Sequence, residues 1–229
     1  MHAHSRKFAD MMRRRRGVIA ARRDWISGPT GHAARVIGGQ ALSAAITPRV
    51  DRIIELLELR PGKHYVDLGC GTSSLAHLVG SRASLERPPV CLDLVPGIGP
   101  VDAVAWPENL PLADHSCDAF TCFYLVRRFD DDMVHGLAQE LSRVLAPGGH
   151  ALLLELAPVR WKGLDRLHRA LFSAGCPEVD LRGWGRLAAL LTECGFDAID
   201  LVNVGPFLVP PVPRIGVLVR IFPAGESGS

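Results

Sequence analysis

Tyr65-Val66-Asp67-Leu68-Gly69-Cys70-Gly71-Thr72-Ser73 joins a short apolar run containing a carboxylate to a loop with two glycines. Glycine adopts backbone conformations closed to other residues and lets main chain approach a ligand that a side chain would exclude. Val90-Cys91-Leu92-Asp93-Leu94 is a second apolar run with a carboxylate, and Asp93 lies 22 residues beyond Gly71. A strand, a glycine turn and an acid ending the next strand form the pattern that grips a nucleoside, the acid taking the ribose hydroxyls. A dinucleotide site wants Gly or Ala at the sixth position of the glycine pattern, under its pyrophosphate. Here that position is Ser74, which weakens nicotinamide and flavin readings. No Gly-Lys-Ser/Thr follows to make a P-loop.

Working outward, Thr47-Pro48 reads as an N-cap with proline at the first helical position, and Val50, Ile53, Ile54 and Leu57 share one face. Arg60-Pro61-Gly62-Lys63 ends that helix. A strand from His64 to Leu68 follows, then a helix from Ser73 or Ser74 whose free N–H groups face the ligand. Val95-Pro96-Gly97-Ile98-Gly99-Pro100 is too rich in breakers for a crossover helix, so a shortened loop leads to a third strand, Val101 to Ala105. The spacing predicts a fourth strand from Asp118 to Phe123 and a helix from Asp131 to Leu145 with Val134, Leu137, Ala138, Leu141 and Val144 in one stripe. Pro147-Gly148-Gly149 turns the chain into a fifth strand, Ala151 to Leu156. Helices are expected from Leu164 to Phe172 and from Trp184 to Cys194, the second closed by Gly195. Two last β runs, Ala198 to Asn203 and Ile215 to Phe222, flank an apolar, proline-rich loop from Gly205 to Pro213. Alternating strands and helices demand an α/β fold with a largely parallel sheet.

Two further segments carry family information. Asn109-Leu110-Pro111-Leu112-Ala113-Asp114-His115-Ser116-Cys117-Asp118-Ala119-Phe120 leads into strand four, and Glu140-Leu141-Ser142-Arg143-Val144-Leu145-Ala146-Pro147-Gly148-Gly149-His150 closes a helix and opens the next strand. In this order and spacing, with the glycine loop and Asp93, they resemble the class I S-adenosylmethionine-dependent methyltransferases. Within that family they look most like the ubiquinone/menaquinone-biosynthesis C-methyltransferases (methyltransferase type 11). The resemblance covers roughly residues 48 to 155. It implies a Rossmann-like, doubly wound sheet of seven strands, mostly parallel with one antiparallel strand, and S-adenosylmethionine as the cofactor. The chain then divides into a basic arm and cap element at 1–46 and a methyltransferase domain at 47–229.

The resemblance also assigns residues. Asp67, Gly69 and Gly71 frame the methionine half of the cofactor and Asp93 takes the ribose hydroxyls, with Cys70 and Leu94 beside them as further cofactor contacts. Relatives place an acid and a free backbone N–H just before Glu-Asn-Leu-Pro to meet the adenine edge. Here Trp106 and Pro107 precede Glu108, and proline has no N–H to donate. Trp106 either covers the adenine face or belongs to the core. Tyr124-Leu125-Val126-Arg127-Arg128-Phe129-Asp130-Asp131 follows strand four, the edge where ligands bind in such sheets. Tyr124 is the candidate to orient an acceptor hydroxyl, also touching the cofactor, and Arg127 to meet an anion or phenolate; a solvated arginine pair is the bland alternative. His115 and His135 lie nearest this edge, and His115 is the candidate base, with a plain surface histidine as its alternative. Methyl transfer needs in-line approach in a dry pocket more than a strong acid or base.

A length of 229 residues suits one α/β domain with decoration. Six cysteines without a C-x-x-C or paired Cys/His spacing argue against a disulfide framework and against a metal site, and fit a reducing, cytoplasmic setting. No apolar run reaches the length of a transmembrane segment and the N-terminus lacks a secretory core. Net charge is only +2, yet residues 1–35 carry nine basic side chains against Asp10 and Asp24. Such an arm suits phosphate in nucleic acid or in a lipid headgroup, which leaves peripheral membrane contact open, and equally suits a solvated face.

The expected acceptor is a small, hydrophobic molecule such as a quinone precursor, polyketide or lipid-like phenol, methylated on carbon or oxygen. An RNA methyltransferase is the second reading, but the Pro-Pro-Tyr/Phe motif associated with amino targets in nucleic acid is absent. A non-catalytic binding protein on the same fold is the third, motivated by Trp106-Pro107 and the missing crossover helix. Monomer and homodimer are both compatible with the sequence.

Overall fold

The computed structural model describes residues 46–94, 99–158, 161–163, 165–166, 181–205 and 214–222. The basic arm, most of the expected helix from Leu164 to Phe172 and nearly all of the apolar loop from Gly205 to Pro213 lie outside the described residues.

Apolar runs with few polar interruptions become the strands β1 (Tyr65–Leu68), β2 (Val90–Asp93), β3 (Ala103–Val104), β4 (Cys117–Phe123), β5 (Leu145–Leu156), β6 (Ala198–Val202) and β7 (Arg214–Arg220). They form one sheet in the order β3-β2-β1-β4-β5-β7-β6. β1 to β5 pair in parallel, whereas β7 runs antiparallel to both β5 and β6. This is the expected Rossmann-like, doubly wound arrangement with one reversed strand.

Helices α1 (Val50–Leu56) and α2 (Ser74–Arg82) cover one face through Ile53, Ala76 and Val79. Helices α3 (Asp131–Val144) and α4 (Trp184–Thr192) cover the other through Leu137, Leu141, Leu187 and Leu191. A sheet covered on both faces needs strands that are apolar throughout, which is why β1 and the second half of β5 lack polar alternation. Asp130 caps α3 by accepting the Met133 N–H at 2.9 Å, and Asp131 and Asp132 at the start with Arg143 at the end complement the helix dipole. Among the described residues no helix is long and apolar enough to cross a membrane.

The boundaries depart from the sequence reading in three places, each with a local cause. Thr47 is not a cap: Thr47–Arg49 form a 3₁₀ turn leading into α1, without a side-chain cap bond. β5 begins at Leu145, before Pro147-Gly148-Gly149, because the ladder tolerates an irregularity there; Cys117 pairs with Leu145 and Ala119 already with His150. Gly148 supplies the positive φ of 78° that this bend requires. β3 is only two residues long, short of the expected strand from Val101 to Ala105.

The topology positions the site. From β1 the chain moves outward to β2 and β3, then returns to lay β4 on the other side of β1. The loops leaving β1 and β4 therefore diverge and open a crevice at the carboxyl ends of these strands, as switch points of open α/β sheets do.

Leu141 is fully buried between α3 and the sheet. Leu141→Ala is expected to lower unfolding stability by about 2–5 kcal/mol, read as a lower urea midpoint with an unchanged slope.

Candidate functional site

The glycine loop is clamped by the end of β2. The N–H groups of Gly69 and Cys70 both donate to the carbonyl of Leu92, at 2.8 and 3.2 Å, and Gly71 N–H donates to Asp93 Oδ2 at 3.1 Å. Gly69 and Gly71 hold φ values of 82° and 56°, a region in which a side chain is strained. At Gly69 a Cβ would also stand 2.8 Å from Leu125 Cδ2. Asp93, at 1% exposure, thus occupies the expected place, and its visible task is to brace the loop. Cys70 turns its thiol to that of Cys91, and this bond, followed by burial, raises its pKa. The Leu94 side chain lies in the core. Both therefore offer a ligand main chain rather than side chain.

Below the loop, Asp67 on β1 faces Thr121, its register partner on β4. Thr121 Oγ1 donates to Asp67 Oδ1 at 2.6 Å and lies 2.8 Å from the hydroxyl of Tyr65. A threonine has one hydrogen to give, so with Asp67 ionised the Tyr65 O–H donates to Thr121. Burial pushes the Asp67 pKa up to about 7, against the hydrogen bond from Thr121, which lowers it. A carboxylate kept this dry is costly unless a cation meets it.

The next edge residue is Tyr124, directly after β4, with φ 54° and its N–H on the Leu154 carbonyl at 2.7 Å. Its ring shares a buried apolar cluster with Cys70, Leu154, Leu156 and Leu181. Arg127 is not a free cation there: its guanidinium stands 3.1 Å from Glu155 Oε1 and its backbone N–H donates to Glu155 Oε2 at 2.9 Å. It also donates to the Tyr124 carbonyl. The expectation that Arg127 meets an anion is thereby modified, because buried Glu155 already balances its charge. Arg214, the first residue of β7, donates from Nε to the Tyr124 hydroxyl at 2.7 Å. The two guanidinium carbons lie 6.0 and 5.9 Å from the Tyr124 ring centre, within the range of attraction to its face. Arg182 donates to the carbonyls of Val126 and Phe129 at 3.2 and 2.6 Å and pairs with Asp131 at 2.9 Å. It ties the turn after β4 to the start of α3.

On the far side of Asp93 the chain makes a tight turn. Asn109 N–H donates to the Trp106 carbonyl at 3.0 Å with Pro107 second in the turn, the place where a fixed φ near −65° is favoured. Glu108 lies against α3, where a Cβ at Gly136 would come within 2.6 Å of its own Cβ. Leu110 N–H donates to Glu140 Oε2 at 2.7 Å. The departure at Pro107 thus suits this turn, and Trp106 is half-buried against the core beside it. Ala105 N–H on the Asp93 carbonyl, at 3.0 Å, places the turn next to the end of β2.

His115 is a correction. Its Nδ1 lies 3.0 Å from the Leu145 carbonyl and its N–H donates to Arg143, before the start of β4. Seven strand residues, roughly 20 Å at about 3.3 Å each, separate it from the crevice. No base role follows for it. His135 stands on α3 beside Cys194 Sγ at 3.5 Å and is likewise part of packing. Among the described residues no cluster of metal-ligating side chains occurs.

Several contributors carried no local signal. Thr121 sits in an apolar strand, and Glu155 and Arg214 lie 28 and 90 residues from their partners Arg127 and Tyr124. Gly136, an interior helix glycine, was the one legible hint, since such a residue marks a close approach.

The sequence pattern of a family described as "Hypothetical methyltransferase" matches residues 43–182. The chain is 32% identical over 117 residues to the ubiquinone/menaquinone biosynthesis C-methyltransferase of Rubrivivax gelatinosus, covering 48% of this chain and 46% of that one. It thus spans about half the length of that relative. Among solved structures, the YcgJ protein of Bacillus subtilis superposes with a TM-score of 0.60 at 16% identity, over 77% of this chain and 99% of that one. Geranyl diphosphate C-methyltransferase of Streptomyces coelicolor, solved with geranyl diphosphate, Mg2+ and S-adenosylhomocysteine, superposes with 0.55 at 13%, over 76% and 77% of the two chains. At these identities the structures speak for the fold.

The raised Asp67 pKa has a stability consequence of definite sign. The native state holds a proton that the unfolded chain has already lost between about pH 4 and pH 7, so this group favours folding below about pH 4 and its contribution is lost as pH rises through 7. Asp67→Asn removes the cost of ionisation while keeping an oxygen for Thr121. The variant is expected to match the parent near pH 4 and to be the more stable at pH 8 by on the order of 4 kcal/mol, measured by denaturant titration across pH. Equal pH dependence in both proteins would show that Asp67 titrates normally.

Proposed function

The chain belongs to this family of methyltransferases, and from that premise we propose that it transfers the methyl group of S-adenosylmethionine to a small, apolar acceptor bearing a phenol or hydroquinone ring. The observation that supports this reading best is the junction of the Asp93-braced glycine loop with the turn after β4, where a Cβ on Gly69 would stand 2.8 Å from Leu125, the residue after Tyr124. The quinone-biosynthesis relative favours carbon as the acceptor atom.

In this reading the loop from Gly69 to Gly71 receives the methionine half, Asp93 the ribose and the turn at Trp106 to Glu108 the adenine. Asp67 supplies the negative charge that a cationic ligand meets, and the ligand in turn offsets the cost of keeping that carboxylate dry. The chemistry is an in-line displacement. An electron pair of the acceptor forms a bond to the methyl carbon, the carbon–sulfur bond breaks onto sulfur, S-adenosylhomocysteine leaves with a neutral sulfur, and the acceptor's proton passes to water, before transfer from a phenol or after it from a ring carbon. Charge disappears as the reaction proceeds, so a dry apolar cluster such as that around Tyr124, Leu154 and Leu156 suits it.

Titration calorimetry with S-adenosylhomocysteine tests the reading. The parent is expected to bind, and Asp93→Ala to lose about 1.5–3 kcal/mol, roughly ten- to hundredfold in affinity. Gly69→Ala is expected to fail similarly, from its positive φ and its contact with Leu125. Retention of parental affinity in both variants would remove the cofactor from this crevice.

A further inference from the structure

A phenol has one hydrogen to give and room to accept two. At Tyr124 one accepting position is taken by Arg214 Nε–H at 2.7 Å. The hydroxyl hydrogen therefore points away from Arg214, and among the described residues no acceptor takes it. The ring itself is held rigidly. Its backbone is in the left-handed region, its N–H is bonded to Leu154, and guanidinium groups of Arg127 and Arg214 flank it from two different elements. It belongs to a buried, largely apolar cluster, and the residue after it, Leu125, abuts Gly69 of the glycine loop.

We propose that Arg214 is a positioning residue that fixes Tyr124 as a hydrogen-bond donor to the oxygen of a phenol or hydroquinone acceptor, a role that rests on the methyltransferase reading above. Donation to that oxygen does two things. It lowers the pKa of the acceptor hydroxyl, which raises the population of the electron-rich phenolate, and it sets the ring's angle towards the methyl group. Tyr124 is not a base in this arrangement. Burial raises its own pKa, with Arg214 opposing that rise, so it stays protonated at neutral pH. Specificity follows, because an acceptor lacking the oxygen would leave a buried donor unpaired.

The chain has two tyrosines, Tyr65 and Tyr124, so tyrosinate absorbance near ~295 nm resolves them, with Tyr124→Phe assigning the signals. Arg214→Met is expected to move the Tyr124 titration to higher pH, by about one unit or more, and Arg214→Lys to restore part of it. With a prenylated naphthohydroquinone as probe acceptor, Arg214→Met and Tyr124→Phe are each expected to lower kcat by about tenfold, and the double variant no further than the worse single one. Affinity for S-adenosylhomocysteine should stay within about threefold of the parent in Arg214→Met. An unmoved Tyr124 titration in folded Arg214→Met overturns the inference. So does a moved titration with unchanged turnover, or additive losses in the double variant. A parent that binds S-adenosylhomocysteine yet neither binds nor methylates the probe sinks the inference alone, whereas a parent that binds no S-adenosylhomocysteine sinks the methyltransferase reading itself.

Discussion

The clamp between the end of β2 and the loop after β1 is the interaction on which the rest depends. One carbonyl, Leu92, takes two N–H groups, and one carboxylate, Asp93, takes a third. A glycine loop left to itself is entropically the worst place to hold a ligand, since glycine surrenders more freedom on ordering than any other residue. Three bonds from an adjacent strand supply that ordering during folding. The loop therefore meets a ligand already shaped, and binding energy is not consumed in forming it. The carboxylate that the resemblance reserves for ribose is the one that holds the loop in place.

A second constraint lies one layer deeper. β1 and β4 are buried on both faces, yet they carry Asp67, Thr121 and Tyr65 in one hydrogen-bonded chain. An apolar trio would serve the fold better, because burial, with the nearby charge of Asp93, lifts Asp67 to about 7 against the hydrogen bond from Thr121. Strongly shifted groups of this kind cluster at functional sites, although structural networks also contain them. Asp67 lies directly beneath the loop, where a ligand carrying positive charge finds an acid that water does not screen.

Much of this was legible in the sequence for a physical reason: apolar periodicity and breakers act locally. The glycine loop, the 22-residue interval to Asp93 and the amphipathic stripe of α3 were all visible as short-range patterns. The bend in β5 was not, because Pro147-Gly148-Gly149 is a turn in isolation and becomes part of a strand only when β4 and β7 supply partners. His115 was placed wrongly for a related reason. Proximity in sequence to strand four says nothing about which end of the strand a residue joins, and the two ends of β4 face opposite sides of the domain.

The same locality explains why the acceptor side was read least well. Its residues come from β4, the turn after it, β5 and the start of β7, so no window of sequence contains the group. Arg127, read as a cation in search of an anion, is balanced by Glu155 from the neighbouring strand. Arg214 gives no sign of function where it stands, as the first polar residue after a run of prolines and aliphatics. Topology supplies its partner, the Tyr124 hydroxyl. β7 is the strand that runs backwards, so its first residue, not its last, arrives at the carboxyl edge of the parallel strands where Tyr124 waits. Reversing a single strand thus brings the start of β7, not its end, level with the end of β5, and the antiparallel β7 delivers the Arg214 side chain to Tyr124.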